Sequence, residues 1–170
     1  MDAIKQHIIV VCGIKNSGKT TLIRKIIPKL AEAGLKVATI KHDGHDFESD
    51  VPGTDSYYHQ KAGAYGTAVF SKNRFMITKQ ITKITEKDLI GFFSEADLII
   101  IEGMKDSTYD KIEVIRSANG NQPASNPQRR FLIVTDRNDR ISAEPQVHLD
   151  DIDKIVERIL TVIGKGEPVK

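Results

Sequence analysis

Eight residues near the amino end, Gly13-Ile14-Lys15-Asn16-Ser17-Gly18-Lys19-Thr20, have the types and spacing needed to hold a triphosphate. Gly13 and Gly18 allow the backbone the positive φ that lets it pass close to phosphate oxygens. The amides of Lys15, Asn16 and Ser17 then turn inward as an anion nest. A helix following Gly18 adds partial positive charge at its first turn. In such a loop Lys19 is expected on the β and γ phosphates, the Thr20 hydroxyl on Mg²⁺, and Thr21 beside the α phosphate. A run of β-branched residues precedes the loop and a helical stripe follows it, which is the context the motif requires.

Further chemistry is expected where other strands end. In an open parallel sheet, ligands lie beyond the carboxyl ends of the strands. Three apolar runs end in polar groups: Val37–Ile40 before Lys41-His42-Asp43-Gly44-His45-Asp46, Leu98–Ile101 before Glu102-Gly103-Met104-Lys105, and Phe131–Val134 before Thr135-Asp136-Arg137-Asn138-Asp139. Glu102 is expected to bind Mg²⁺ through water or to orient an attacking water. Asp50 and Asp43 are further candidates for the metal shell or for positioning water. His42 and His45 form H-x-x-H with Asp46 beside them, residue types that suit a transition metal; without further ligands, a polar loop contacting nucleotide or partner is the favoured reading. The N-K-x-D motif that reads guanine is absent, leaving Asp136 or Asp139 as candidate acceptors for a base.

The elements that must position these groups follow from periodicity. Four runs, 8–11, 37–40, 98–101 and 131–134, read as buried parallel strands. Leu22, Ile23, Ile26, Ile27 and Leu30 form one helical stripe that starts near Lys19 and ends at Gly34, with Pro28 inside it. Ile152, Ile155, Val156, Ile159, Leu160 and Ile163 form another, with Asp150 expected as its N-cap. This alternation predicts an α/β chain with a three-layer P-loop NTPase fold and a mainly parallel sheet. Residues 66–85 and 108–116 fall outside the alternation and are expected to be extra antiparallel strands or a hairpin. Residues 117–130 are a polar loop, and 164–170 a tail.

The 170 residues suit a single nucleotide-binding domain, 1–170. With 25 basic and 23 acidic side chains, a net charge of +2 and no Trp, nothing points to nucleic acid or an anionic membrane. One cysteine, Cys12, excludes an internal disulfide framework and points to a reducing, cytoplasmic setting; it is expected to be a small core residue. No secretory leader is read in MDAIKQHIIVVCG, and apolar runs of four residues are far too short to span a bilayer.

With these residues in place, the chain resembles the molybdopterin-guanine dinucleotide biosynthesis protein B family (MobB). Three blocks carry the likeness: GIKNSGKTTLIRKIIPKL, then IKHDGHDFESDVPGTDSYYHQKAGA, then LIIIEGMK with its Glu102-Gly103-Met104-Lys105 ending. The second is the more specific, with His42, His45, Asp46, Asp50, Gly53, Asp55 and Ser56 where that family's pattern has them. Thr54 stands where the pattern usually has lysine, so no lysine contact is carried over there. The resemblance implies GTP and Mg²⁺ as ligands, slow GTP hydrolysis, and a homodimer. It also implies an accessory role beside the molybdopterin guanylyltransferase that transfers GMP, with molybdopterin itself as a further ligand. Strands at 66–85 and 108–116 are then candidates for a dimer contact by sheet extension. Lys15 is placed to reach the phosphates of a facing protomer.

Two other classes compete. A small-molecule kinase would need a second substrate pocket and a lid with arginines, for which 117–130 with Arg129-Arg130 is the candidate. A nucleotide-switched binding module of metallochaperone type would bind Ni²⁺ or Zn²⁺ through His42 and His45.

Overall fold

A computed structural model describes residues 6–44, 47–120 and 122–166. The chain forms two compact units, one of residues 1–42 with 89–170 and one of residues 43–88.

The larger unit is built on a six-stranded sheet in the order β2-β5-β1-β6-β7-β8. The strands are β1 (His7–Cys12), β2 (Val37–Lys41), β5 (Leu98–Glu102), β6 (Asp110–Ile115), β7 (Arg130–Thr135) and β8 (Gln146–His148). All neighbouring pairs run parallel. The four apolar runs expected as strands are therefore all present. They read as continuous hydrophobic stretches because both faces are covered.

The segment 110–115 corrects the sequence reading. It is a central parallel strand, paired with β1 on one side and β7 on the other. Both of its edges are satisfied, so it has none to offer a second protomer. Alternation hid it: Ile112 and Val114 join the aliphatic core, whereas Lys111 and Glu113, equally buried, face the other way.

α1 (Lys19–Glu32) and α4 (Ile152–Val162) cover one face of the sheet. Leu22, Ile23, Ile26 and Leu30 of α1 and Ile155, Val156 and Ile159 of α4 pack on Ile9, Val11, Leu98, Ile100, Ile112, Leu132 and Val134. Each such buried side chain contributes about 1.5–3 kcal/mol of transfer free energy. The helix runs through Pro28 to Glu32. The cap of α4 is Asp151, whose carboxylate accepts from Lys154 N at 3.2 Å, not Asp150. Asp150 instead pairs with Lys25 of α1 at 3.2 Å.

The opposite face is smaller. Val10, Cys12, Ile40, Ile99 and Ile101 are covered by Ala96, Leu89, Ile90, Met104 and Tyr109. Cys12 is fully buried, as expected, and burial pushes its thiol up to about 11. Beneath the 117–129 segment this face becomes ionic. Glu113 accepts from Ala124 N (2.5 Å), Ser125 N (3.1 Å) and Ser125 Oγ (2.6 Å), and pairs with Arg130 at 3.0 Å. Lys111 Nζ donates to the carbonyls of Ser107 (2.7 Å), Asn126 (3.2 Å) and Gln128 (2.7 Å).

The smaller unit contains α2 (Asp55–Lys61) and an antiparallel pair, β3 (Gly66–Phe70) with β4 (Phe75–Lys79). That pair is the hairpin expected within 66–85. A short α3 (Glu86–Gly91) leads back to the larger unit.

Candidate functional site

The Gly13–Thr20 loop joins β1 to α1 with the backbone the motif demands. Gly13 has φ 139°, Asn16 61° and Gly18 96°. A Cβ on Gly13 would lie 2.4 Å from Val114 O and 2.8 Å from Ser17 Oγ, so only glycine fits. Gly18 caps α1 in the left-handed conformation and makes no side-chain cap bond. The first-turn amides of α1 are thus left to a ligand rather than to a cap.

Each expected loop residue can be located. Lys19 Nζ bends over the loop and donates to Gly13 O (3.2 Å) and Ile14 O (2.7 Å). Lys15 and Asn16 lie exposed at the rim, whereas the Ser17 side chain is buried against Gly13. Thr20 and Thr21 are exposed on the first turn. Thr20 Oγ1 donates to Glu102 Oε1 at 2.8 Å, across from β5. The sequence named these two residues independently as cation ligands, and the sheet order brings them together, because β5 lies beside β1.

On the other side of β1 the end of β6 adds residues the sequence reading passed over. Asn119 Nδ2 donates to Asn16 O at 2.7 Å and so braces the loop. Arg116 lies alongside Gly18, its Nη1 3.8 Å from where a Cβ on Gly18 would be. Arg116 Nε donates to Asp136 Oδ2 at 3.4 Å, and Ser117 N donates to Asp136 Oδ1 at 2.8 Å. The Ser117 amide above all, with Arg116 assisting, holds the Asp136 carboxyl below its ordinary value. The strand-end rule would have found Arg116 and Asn119, had 110–115 been recognised as a parallel strand. Asp139, the other candidate for reading a base, is held by Arg137.

The other described candidates divide between the two units. His42 follows β2, and its N–H donates to Glu102 O at 3.0 Å. Lys105 is exposed, and its carbonyl accepts from Asn126 N at 3.2 Å. Asp50 belongs to the 43–88 unit. It accepts from Val51 N (2.8 Å), Thr54 Oγ1 (3.3 Å) and Gln60 Nε2 (3.1 Å). Hydrogen bonds, from Ser56 first, lower its pKa. Thr54, where the family pattern has lysine, is the N-cap of α2 and accepts from Tyr57 N. Asp55 opens α2 and, with Ser56, His59 and β3, lines a shallow hollow within that unit. His45 and Asp46 lie outside the described residues. The arginines expected of a kinase lid are committed to structure: Arg129 pairs with Asp110 at 2.9 Å, and Arg130 is buried against Glu113 and Glu144.

The cradle fits a nucleoside triphosphate with a divalent cation. Among the described residues no group of three His, Cys, Asp or Glu side chains could hold a metal alone. A cation at Thr20 and Glu102 would therefore share its shell with phosphate oxygens, the usual arrangement for Mg²⁺.

A glycine-bent loop between the first strand and a helix, in a parallel sheet with an acid at the neighbouring strand's end, defines the P-loop NTPase fold. The family model described as "Molybdopterin guanine dinucleotide synthesis protein B" matches residues 8–136. The chain belongs to that family. It is 39% identical over 112 residues to the molybdopterin-guanine dinucleotide biosynthesis adapter protein of Escherichia coli (strain K12), covering 63% of this chain and 64% of that protein. To the probable adapter protein of Bacillus subtilis (strain 168) it is 33% identical over 114 residues, covering 64% of each. The matched region thus spans slightly under two thirds of these curated relatives. The crystal structure of Bacillus subtilis MobB superimposes with a TM-score of 0.69 at 29% identity, covering 89% of this chain and 97% of that one. A crystal structure of molybdopterin-guanine biosynthesis protein B gives 0.72 at 25% identity, covering 91% and 99%.

Proposed function

We propose that this protein binds GTP with Mg²⁺ at the Gly13–Thr20 loop and acts as an adapter in molybdopterin guanine dinucleotide biosynthesis. It would work beside the nucleotidyltransferase that attaches GMP to molybdopterin. Family membership supports the pathway, and the relatives' names as adapter proteins support the accessory role. The observation that carries nucleotide binding is the loop itself: backbone bent at Gly13, Asn16 and Gly18, Lys19 over its mouth, and Thr20 bonded to Glu102 at 2.8 Å.

In that reading the loop amides and Lys19 hold charge on the β and γ phosphates. Thr20 and Glu102 would hold the cation, which neutralises charge on the same oxygens. Glu102 is also placed to orient a water toward the γ-phosphorus. Slow hydrolysis is part of this reading through the family resemblance, and the two arginines of the candidate lid, Arg129 and Arg130, are already paired with Asp110, Glu113 and Glu144.

A homodimer is part of the proposal, and the β3–β4 hairpin is its contact. The hairpin exposes Phe70 at 84%, Phe75 at 72% and Ile77 at 62%. A two-stranded hairpin carrying such side chains is marginal by itself and gains from a partner strand.

Calorimetric titration with GTP, ATP and molybdopterin, with and without Mg²⁺, tests the reading. Mg²⁺-dependent GTP binding that Lys19→Ala weakens at least a hundredfold, with an unchanged far-UV spectrum, is the expected result. A Lys19→Ala variant that binds GTP like the parent would overturn it.

A further inference from the structure

We propose that Arg116 is a phosphate-contacting residue of the nucleotide site, holding the α-phosphate, and that Asp136 is the residue that positions it. The proposal rests on the reading that the Gly13–Thr20 loop binds a nucleotide.

The orientation of the ligand follows from the sheet. β5 and β6 flank β1 on opposite sides. The Thr20–Glu102 pair places the cation, and with it the β and γ phosphates, toward β5. The nucleoside end must then leave toward β6 and β7. Arg116 is the first residue after β6, and a Cβ on Gly18 would lie 3.8 Å from its Nη1 and 3.9 Å from its Cδ. Arg116, Gly18 and Thr21 line one small hollow at the start of α1. Thr21 is the residue placed at the α-phosphate by the motif; of the two cations that line this hollow with it, Lys25 is paired with Asp150 at 3.2 Å, which leaves Arg116 for that phosphate.

The guanidinium is open to a ligand and held in one direction. The Arg116 side chain is 43% exposed, whereas the Asp136 side chain is 22% exposed. Asp136 takes Nε at 3.4 Å and is itself fixed by Ser117 N at 2.8 Å, which leaves the Nη groups free of that carboxylate. An exposed pair of this length contributes little to stability. Its main consequence is orientation, and a planar guanidinium fork is well shaped for two phosphate oxygens. The backbone beneath is stiffened by Asn119, which bonds Arg116 O through its amide (3.0 Å) and Asn16 O through its side chain (2.7 Å). Arg116 is therefore tied to the phosphate loop itself.

The experiment titrates GTP, GDP and inorganic tripolyphosphate into the parent, Arg116→Ala, Arg116→Lys, Asp136→Asn and the Arg116→Ala/Asp136→Asn pair. Thermal melts check folding. Arg116→Ala should weaken all three ligands by a similar factor, about 10- to 100-fold, the range of a lost charge-assisted contact. Arg116→Lys should recover part of that loss, and it decides the matter if the alanine variant melts early. Asp136→Asn should weaken binding less, and the pair should be no weaker than Arg116→Ala alone, because Asp136 acts through Arg116. GDP binding within twofold of the parent would overturn the proposal. So would a loss confined to GTP, which would put Arg116 at the γ end, or a loss that spares tripolyphosphate, which would put it on the base. A parent that binds none of the three would instead overturn the nucleotide reading itself.

Discussion

Glu113→Ala removes one partner from the ionic cluster under the 117–129 segment, and its cost can be worked from the contacts. The Glu113 and Arg130 side chains are 1% and 5% exposed. Breaking a buried pair from one side costs about 3–5 kcal/mol, because the other charge stays buried. Arg130 retains Glu144 at 2.8 Å, which moves the figure toward the lower end. Three donors lose their acceptor as well: Ala124 N, Ser125 N and Ser125 Oγ. Water admitted to the vacated space offsets some of that. The expected loss is about 3–4 kcal/mol, a large part of the roughly 5–15 kcal/mol that holds a domain together. Arg129→Ala is the control: its pair with Asp110 is 57% and 31% exposed and should cost no more than about 1 kcal/mol. Urea unfolding followed by far-UV circular dichroism measures both, with the m-value checking that the transition stays two-state. Should Glu113→Ala unfold within 1 kcal/mol of the parent, the cluster is solvated in solution and the reasoning fails.

Three further outcomes are expected. Glu102→Gln should keep GTP affinity within a few-fold while lowering phosphate release measured by malachite green; unchanged turnover would reduce Glu102 to a partner of Thr20. Phe70→Ser with Phe75→Ser should convert a dimer to a monomer in sedimentation at fixed concentration, whereas an unaltered dimer would move the contact off the hairpin. Asp97 accepts the Lys36 amide at 2.8 Å, and that bond, with Lys165 nearby, depresses its pKa. A carboxylate with a lowered folded pKa stabilises above its unfolded value of about 4, and that contribution is lost as pH falls through the folded value. Urea midpoints should therefore drop below about pH 4, and less so in Asp97→Asn; equal acid slopes for the two proteins would refute the assignment.

What the sequence made legible was whatever one signal could carry. The phosphate loop has fixed types at fixed spacing. Strands β1, β2, β5 and β7 are near-continuous aliphatic runs, and α1 and α4 are apolar stripes. β6 reads as a strand but not as part of the parallel sheet, because Lys111 and Glu113 alternate with Ile112 and Val114, a pattern that ordinarily marks a half-exposed strand. Only the covering segment shows that the polar half is buried too. Setting β6 outside the parallel sheet meant losing Arg116 and Asn119, since the rule that finds site residues begins from the ends of parallel strands. α2 escaped because its cap, Thr54, is weighed in the sequence only as a missing lysine. The cap of α4 moved by one residue because Asp150 and Asp151 are equivalent as types, and only the approach of Lys25 separates them.

The alternation within β6 also acts as a key during assembly. A slip of one residue against β1 would exchange the two sides of the strand. Lys111 and Glu113 would then be driven among Leu22, Ile26 and Ile155, away from the carbonyls of Ser107 and Gln128 and from the Arg130 guanidinium that hold them. An all-aliphatic strand would tolerate that mispairing at small cost; this one cannot. The ions at the middle of the sheet thus select a single alignment for the strand whose end carries Arg116, and that selection sets where the arginine meets the phosphate loop.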